Sequence, residues 1–426
     1  MAQETHSTGS ASRALELVRR LIGQFGPRPA GSDASRGCAA ALKEEAAAFA
    51  DRTSLETFPV HPGAFLGWIR VLVVIYVLSV AGLWLEIPLV SALLVTAGLA
   101  IMLFQFFLYR ETLDRFYPRR TGTNVLATLE PEGAVHGELI LSGHHDSARV
   151  FTFLVHQPAL YAVRVYGGIG SLVGLAAVSW ALTVQALVAG DVTGGFRPET
   201  LPGWGIVATI VFTVLVLLVG QLWWFASSHH TEGAGDNLAS TAAALEALRE
   251  LARRREEGSP LRHLRVTAAS WGAEEAGLRG SRAWRRAHGD AASACPIWNL
   301  NLECLYDPAD FFMLTSDING SVQLSGELAN RCAALLERAG HANIPTRPIA
   351  FLTGGTDAAE TARAGARATT LMGMPWGNTE RNAVYHTPAD TVDSVSTEAV
   401  AAAIRLATDL AAELDTELAT ELAGGA

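Results

Sequence analysis

The chain has 426 residues; half are hydrophobic, only 17% are charged, and the formal charge is −10. A disordered chain is poor in apolar residues and rich in charge, so disorder is excluded; an acidic balance without a basic stripe argues against a nucleic-acid partner. Ordinary soluble domains carry roughly 25% charged residues, and the shortfall points to a membrane.

From the start, Met1 to Ser12 is polar and has no basic-then-apolar pattern, so no cleavable signal peptide is expected. Ala11–Gln24 reads as a helix, broken by Gly26-Pro-Arg-Pro-Ala-Gly-Ser32, and Asp33 is expected to cap a second helix through about Ala50. Two long apolar stretches follow, Phe65–Leu85 with a single charge at Arg70 and Ile87–Leu108 with none, joined by the short turn Glu86-Ile87-Pro88. Two more lie at about Ala159–Ala189, with Arg164 near its start, and Trp204–Ala226; Asp191 to Pro202 turns them. Each is near or above the roughly 20 residues that cross a hydrocarbon core about 30 Å thick. The expectation is four transmembrane helices as two hairpins, which return the chain to the side it left. Arg70, Arg110, Arg115, Arg119, Arg120, Arg149 and Arg164 sit on that side, against Arg197 alone in the opposite turns. The positive-inside bias then makes the soluble part cytoplasmic, on a cell (inner) membrane.

Outside the spans, strand-like runs at Asn124–Leu129, Glu138–Ser142, Leu264–Ser270, Ile297–Leu302, Phe311–Leu314 and Ala368–Met372 alternate with helix-like stretches at Asn237–Glu256, Ser321–Ala339, Asp357–Ala364 and Thr397–Leu422. That alternation predicts an α/β layer fold with a largely parallel sheet. Residues 1–64, 110–158 and 227–426 then form one soluble domain, with hairpins 65–109 and 159–226 inserted in it. The four cysteines, Cys38, Cys295, Cys304 and Cys332, are too few for a disulfide framework and include no Cys-x-x-Cys pair.

Ligands of α/β sheets sit beyond the carboxyl ends of strands, and polar residues collect there. Gly143-His144-His145-Asp146-Ser147 follows one strand, Glu274-Glu275 another and Glu303 a third; Gly235-Asp236-Asn237 opens a helix, and Tyr385-His386 lies downstream. Histidines and carboxylates suit zinc without any thiolate. Two zinc ions a few ångströms apart need a bridging carboxylate and two further ligands each. Asp236 can bridge, His144 and Glu303 can hold one ion, and Glu275 and His386 the other. Glu274 is left to act as a general base on the bridging water. Asp146, two residues past His144, can accept from the far ring nitrogen and fix its tautomer. His145 is an alternative ligand to His144, and His229-His230 read as an interface pair.

These segments together resemble the co-catalytic di-zinc exopeptidases of the bacterial aminopeptidase type, metallopeptidase family twenty-eight. The resemblance runs from about residue 13 to the end and implies a three-layer α/β/α sandwich around a mixed, largely parallel sheet. It implies His144, Asp236, Glu275, Glu303 and His386 as metal ligands and Glu274 as base and acid. It makes Tyr385 an aid in polarising the scissile carbonyl, and it places Asp357 beside the site, where the bland alternative is a helix N-cap. Two departures stand out. The fourth ligand is usually Asp and here is Glu303, and 91 residues separate His144 from Asp236 where soluble members have a short loop. The reading is a membrane-anchored zinc exopeptidase, most simply an aminopeptidase, acting on a peptide or a protein terminus. A single-zinc glutaminyl cyclase-like enzyme and a catalytically inactive membrane binding protein are the competitors. Side-chain preference and oligomeric state are not legible.

Overall fold

The structure, a computed structural model, describes residues 2–191, 201–289, 295–377 and 384–424. The chain divides into two compact units. The first comprises residues 1–62, 118–150 and 228–426, and the second comprises 63–117 and 151–227. Segments 110–117 and 151–158, read from sequence as part of the soluble domain, therefore group with the apolar helices.

The first unit is built on a nine-stranded sheet. Its strands are β1 (Arg52–Val60), β2 (Arg120–Leu129), β3 (Gly137–His144), β6 (Leu264–Trp271), β7 (Ile297–Glu303), β8 (Phe311–Asp317), β9 (Val322–Gln323), β10 (Thr346–Pro348) and β11 (Arg367–Gly373). Two short strands, β4 (Arg149–Phe151) and β5 (Ala226–His230), mark where the chain leaves for the second unit and returns. The order is β1-β2-β6-β3-β7-β11-β8-β10, with β9 on β8. The central four strands, β6-β3-β7-β11, are parallel, while β1, β2 and the β11–β8 pair are antiparallel. The sheet is mixed and largely parallel, as expected.

Alternation along β3 shows the layering. Leu139 and Leu141 enter one core with helices α1 (Ala2–Phe25), α2 (Asp33–Ala46), α8 (Ala239–Glu256), α10 (Gly326–Arg338) and α12 (Thr397–Gly424). Ile140 points to the other face, with Trp271 and Trp284, covered by α9 (Arg279–His288) and α11 (Ala358–Arg363). Successive side chains on a strand face opposite ways, so one run of apolar residues serves two helical layers. Glu360 ties the second layer together. It is fully buried, and burial alone would raise its pKa, but Arg282, Arg363 and Arg285 reverse the shift and hold it low.

Several expectations need correction. Ser32, not Asp33, caps α2, its side chain accepting from Ser35 N. Helix α10 begins at Gly326 after an N-cap at Ser325, because Val322–Gln323 pairs with β8 instead. Strands β1 and β10 and helix α9 were not foreseen.

The second unit holds α3 (Ala64–Trp84), α4 (Pro88–Met102), α6 (Tyr161–Val188) and α7 (Gly203–Gly220), with the one-turn α5 (Thr152–His156) ahead of α6. Helix α3 packs on α4, α4 on α6, α6 on α7 and α7 on α3. Four helical segments, Ala64–Trp84, Pro88–Phe107, Pro158–Val188 and Gly203–Trp224, are long and apolar enough to cross a membrane. The bundle interior is tight: a Cβ on Gly82 would lie 2.4 Å from Ser91 Oγ. Tyr76 OH donates to Phe212 O at 3.1 Å, and Ser91 Oγ to Ser79 O at 2.7 Å. Of the second hairpin turn, only Asp191 and Leu201–Pro202 are described; Arg197 lies outside the described residues.

Candidate metal centre and active site

Three adjacent parallel strands deliver the site. β3 ends on His144, β7 ends on Glu303, and β6, between β2 and β3, runs out through Trp271 into Glu274-Glu275. The turn before α8 supplies Asp236, and the segment before α12 supplies His386. All these side chains belong to the first unit.

They converge. His144 Nε2 lies 3.3 Å from Asp236 Oδ1, 3.3 Å from Glu303 Oε1 and 3.7 Å from Glu274 Oε2. His386 Nε2 lies 3.1 Å from Asp236 Oδ2 and 3.7 Å from Glu275 Oε1. Asp236 thus turns one oxygen toward each histidine. Three candidate ligand groups result among the described residues, His144–Asp236–Glu303, Asp236–Glu275–His386 and His144–Glu274–Glu275, each with its ligand atoms within 4.8 Å of one another. Atoms sharing a tetrahedral ion at about 2.0–2.2 Å sit roughly 3.3–3.6 Å apart, so the spacing fits zinc. Glu275 Oε1 is buried without a hydrogen-bond partner among the described residues, which also fits a cation as its missing neighbour.

The electrostatics agree. Burial pushes the Glu274 carboxyl well above its ordinary value, with Glu275 adding and His144 opposing. Burial and Asp236 do the same to Glu275, and burial also raises Glu303. Burial works against a charge on His144, yet Glu274, Asp146, Asp236 and Glu303 outweigh it and raise its pKa well above normal. Asp236 goes the other way: burial would raise it, but hydrogen bonds from His144 and His386 hold it low. A buried, acid-rich cluster of this kind needs compensating positive charge.

Supporting contacts set the ligands. Asn237 joins the Asp236 turn to the end of β7, donating to Leu302 O at 2.9 Å and accepting from Cys304 N at 3.2 Å. Asn301 Nδ2 donates to Glu303 Oε2 at 3.1 Å. Asp390 accepts from Gly235 N at 2.8 Å, and burial lifts its pKa to about 7. A Cβ on Gly235 would fall 2.0 Å from the Tyr306 ring, so only glycine fits under that aromatic. Ala273, Cys304 and His386 adopt left-handed backbone, with φ of 60°, 53° and 54°. Non-glycine residues pay for that conformation with about 1–3 kcal/mol each, and all three lie at or beside candidate site residues: Ala273 before Glu274, Cys304 after Glu303, and His386 itself.

Asp146 is placed differently from expectation. The ring Nδ1 of His144 is 3.2 Å from the Asp146 main-chain oxygen and 3.6 Å from its carboxylate. The carboxylate instead accepts the backbone N–H groups of Glu274 and Glu275, at 3.0 and 3.2 Å. It orients the glutamate pair more directly than the histidine. Asp357 stands at the N-cap position of α11 without making a capping bond; it accepts from Ser281 Oγ at 2.5 Å, fully buried. His145 is directed away from the cluster, its Nδ1 2.8 Å from Ser270 Oγ, and burial lowers its pKa to about 4. Tyr385 stacks on the His386 ring, centroids 4.0 Å apart, and lines the cavity beside it.

That cavity opens to solvent and comprises about 510 Å³ with its mouth included. Its floor is Asp236, Glu274, Glu275, Glu303 and His386; its walls include Phe312, Leu314, Ile349, Met372 and Met374. Among the described residues lining it there is no lysine or arginine. Sequence reasoning missed Asn237, Asn301, Tyr306 and Asp390. Of these, Asp390, four residues beyond His386 in His-Thr-Pro-Ala-Asp, carried the best available signal.

Fold and site define a class, the zinc metallopeptidases. The model of the family described as Peptidase family M28 matches residues 219–411. The matched stretch contains Asp236, Glu274, Glu275, Glu303 and His386; His144 precedes it. Solved structures share the fold at low identity. A Zn-dependent exopeptidase from Parabacteroides distasonis ATCC 8503 superposes with a TM-score of 0.53 at 11% identity, covering 94% of this chain and 97% of that one. A glutaminyl cyclase from Porphyromonas gingivalis gives 0.53 at 13%, covering 96% and 98%. An aminopeptidase from Aneurinibacillus sp. strain AM-1 gives 0.52 at 14%, covering 93% and 92%. Among curated proteins none matches the chain.

Proposed function

We propose that the protein is a membrane-anchored, two-zinc aminopeptidase that releases the first residue of a peptide or of a protein's terminus. The observation carrying this reading is the divided carboxylate of Asp236, one oxygen toward His144 and the other toward His386. His144, Glu303 and Asp236 would hold one zinc; Glu275, His386 and Asp236 would hold the second. Zinc held there polarises a carbonyl and lowers the pKa of water. Glu274 does the proton work. Its carboxylate lies within the cluster, takes a proton from the attacking water and returns it to the leaving amine. Asp146, through the two amide N–H groups it accepts, keeps Glu274 and Glu275 in register.

The acid-rich floor supports docking of a substrate's cationic amino terminus. The walls support an apolar first side chain. The four apolar helices support anchoring in a bilayer. Arg70, Arg110, Arg115 and Arg164, all within the second unit, support a cytoplasmic face for the ends that carry them.

The test is metal counting with turnover. Purified full-length protein should bind two zinc ions and hydrolyse leucyl-arylamides. Glu274→Gln should lose about 10²–10⁴-fold in turnover with both ions retained. One ion and cyclisation of amino-terminal glutamine would instead mark the single-zinc reading.

A further inference from the structure

Two ligands that must meet, His144 and Asp236, are separated by 91 residues of chain, and a side chain far from both in sequence joins their loops. Arg28, in the Gly26–Ser32 turn, is fully buried. A buried arginine ordinarily faces a carboxylate. Here the guanidinium donates to three main-chain carbonyls: His145 O at 2.8 Å from Nε, Gly26 O at 2.8 Å and Gly233 O at 3.0 Å. His145 directly follows one ligand, and Gly233 lies three residues before the other. The Arg28 backbone completes the clasp, its N–H donating to Ser147 Oγ at 2.9 Å and its carbonyl accepting from Ser147 N at 3.1 Å.

The two loops are also pressed together directly. Thr231 N donates to Ala148 O at 2.9 Å. Gly233 has φ +61°, and a Cβ there would come within 2.7 Å of Ser147 Cβ and 3.1 Å of the Arg28 guanidinium. The Gly233 carbonyl is thus presented to Arg28 by a conformation and a packing distance that only glycine meets without strain.

We infer that Arg28 is a positioning residue that sets the spacing of His144 and Asp236, and hence the ability of the site to hold its metal pair, by binding the carbonyls of both loops at once. A planar guanidinium with several donors in a fixed fork can do this; an ammonium of similar charge cannot reach all three carbonyls. The inference rests on the two-zinc reading above.

The experiment is zinc affinity of the full-length protein, measured by competition with a chromophoric chelator. Arg28→Ala should weaken zinc binding about 10–100-fold, the range for residues that support metal ligands from behind. Arg28→Lys should restore it only partly. Millimolar methylguanidinium should recover affinity in Arg28→Ala and leave the wild type unchanged, which a general loss of packing would not do. Should Arg28→Ala fail to fold, Ser147→Ala and Gly233→Ala loosen the same clasp one contact at a time, and each should weaken zinc binding several-fold. Wild-type zinc affinity in a folded Arg28→Ala, or in both substitute variants, overturns the inference. Absence of zinc from the wild type would instead overturn the two-zinc reading, a result distinct from any effect at Arg28.

Discussion

The two units solve opposite problems. The first buries charge: Arg28, Asp236, Glu303, Asp357 and Glu360 are all inside, each held by named partners. The second puts apolar side chains on its outside: Val207, Val214 and Leu217 are 61%, 62% and 80% exposed. A water-soluble domain does the first only where the charges find partners, and avoids contiguous patches of the second kind. Inside the second unit Tyr76 and Ser91 bond to main-chain oxygens, while the polar side-chain atoms of Trp68, Ser79 and Ser179 have no hydrogen-bond partner among the described residues. The second unit's exposed apolar surface belongs to helices long and apolar enough to cross a membrane, and the first unit's buried charge gathers at the candidate site and around Glu360.

Stripping the metal should sharpen the contrast most. Chelation should abolish hydrolysis and leave the buried carboxylates uncompensated. Glu274, Glu275 and Glu303 then have pKa values raised above their unfolded values, so the folded apoprotein binds more protons than the unfolded chain. Its stability should be full below about pH 4.5 as far as these groups are concerned, and should fall progressively as pH rises through the raised values. Asp390, at about 7, adds to the same trend. A thermal melt of the apoprotein that is higher at pH 8 than at pH 5 would refute this. Zinc-loaded protein should show the dependence much less.

Next in size is a charge on the outside of the second unit. Val214→Asp, near the middle of its span, should cost about 2.5–3.5 kcal/mol of insertion and deplete the membrane fraction. On a water-facing helix the same change stays within about 0.5 kcal/mol, so unaltered partitioning would remove the bilayer from the account. Asp146→Ala should cost about 10–100-fold in activity or metal affinity by releasing the Glu274 and Glu275 amides, while the circular dichroism stays native. Smallest is Tyr76→Phe. The bond to Phe212 O in the second unit is of a kind that averages about 0.6 kcal/mol in membranes, and the Tm in detergent should shift by only a few degrees.

The same comparison explains what could be read in advance. The spans were legible because composition alone defines them. His144, Glu274-Glu275 and Glu303 were legible because each follows a strongly apolar strand, where few polar residues compete for attention; Asp236 and His386, in a turn and a loop ahead of helices, drew on the motifs around them. β1 was not, since Arg-Thr-Ser-Leu-Glu-Thr-Phe-Pro-Val is an edge strand with exposed, polar positions and a proline. α9 was hidden by its four arginines: Arg279 and Arg282 are buried, and the pairing of Arg282 and Arg285 with Glu360 is visible only in the folded chain. Asp146 was read as an acceptor for the His144 ring; its carboxylate lies 3.6 Å from that ring and takes its shorter bonds from the Glu274 and Glu275 amides. Arg28 looked like part of a turn because its partners are main-chain carbonyls, which no pattern of side chains announces.

The closeness of Ser147 to Gly233 has a consequence for how such a chain is assembled. Bringing the ends of a flexible loop together costs entropy only as the logarithm of its length, so a loop about ten times longer adds roughly 2 kcal/mol. An excursion that folds on itself adds less. The catalytic sheet therefore meets the long detour between its ligands as little more than an ordinary connection, and the two bodies are free to acquire new sequence on independent histories.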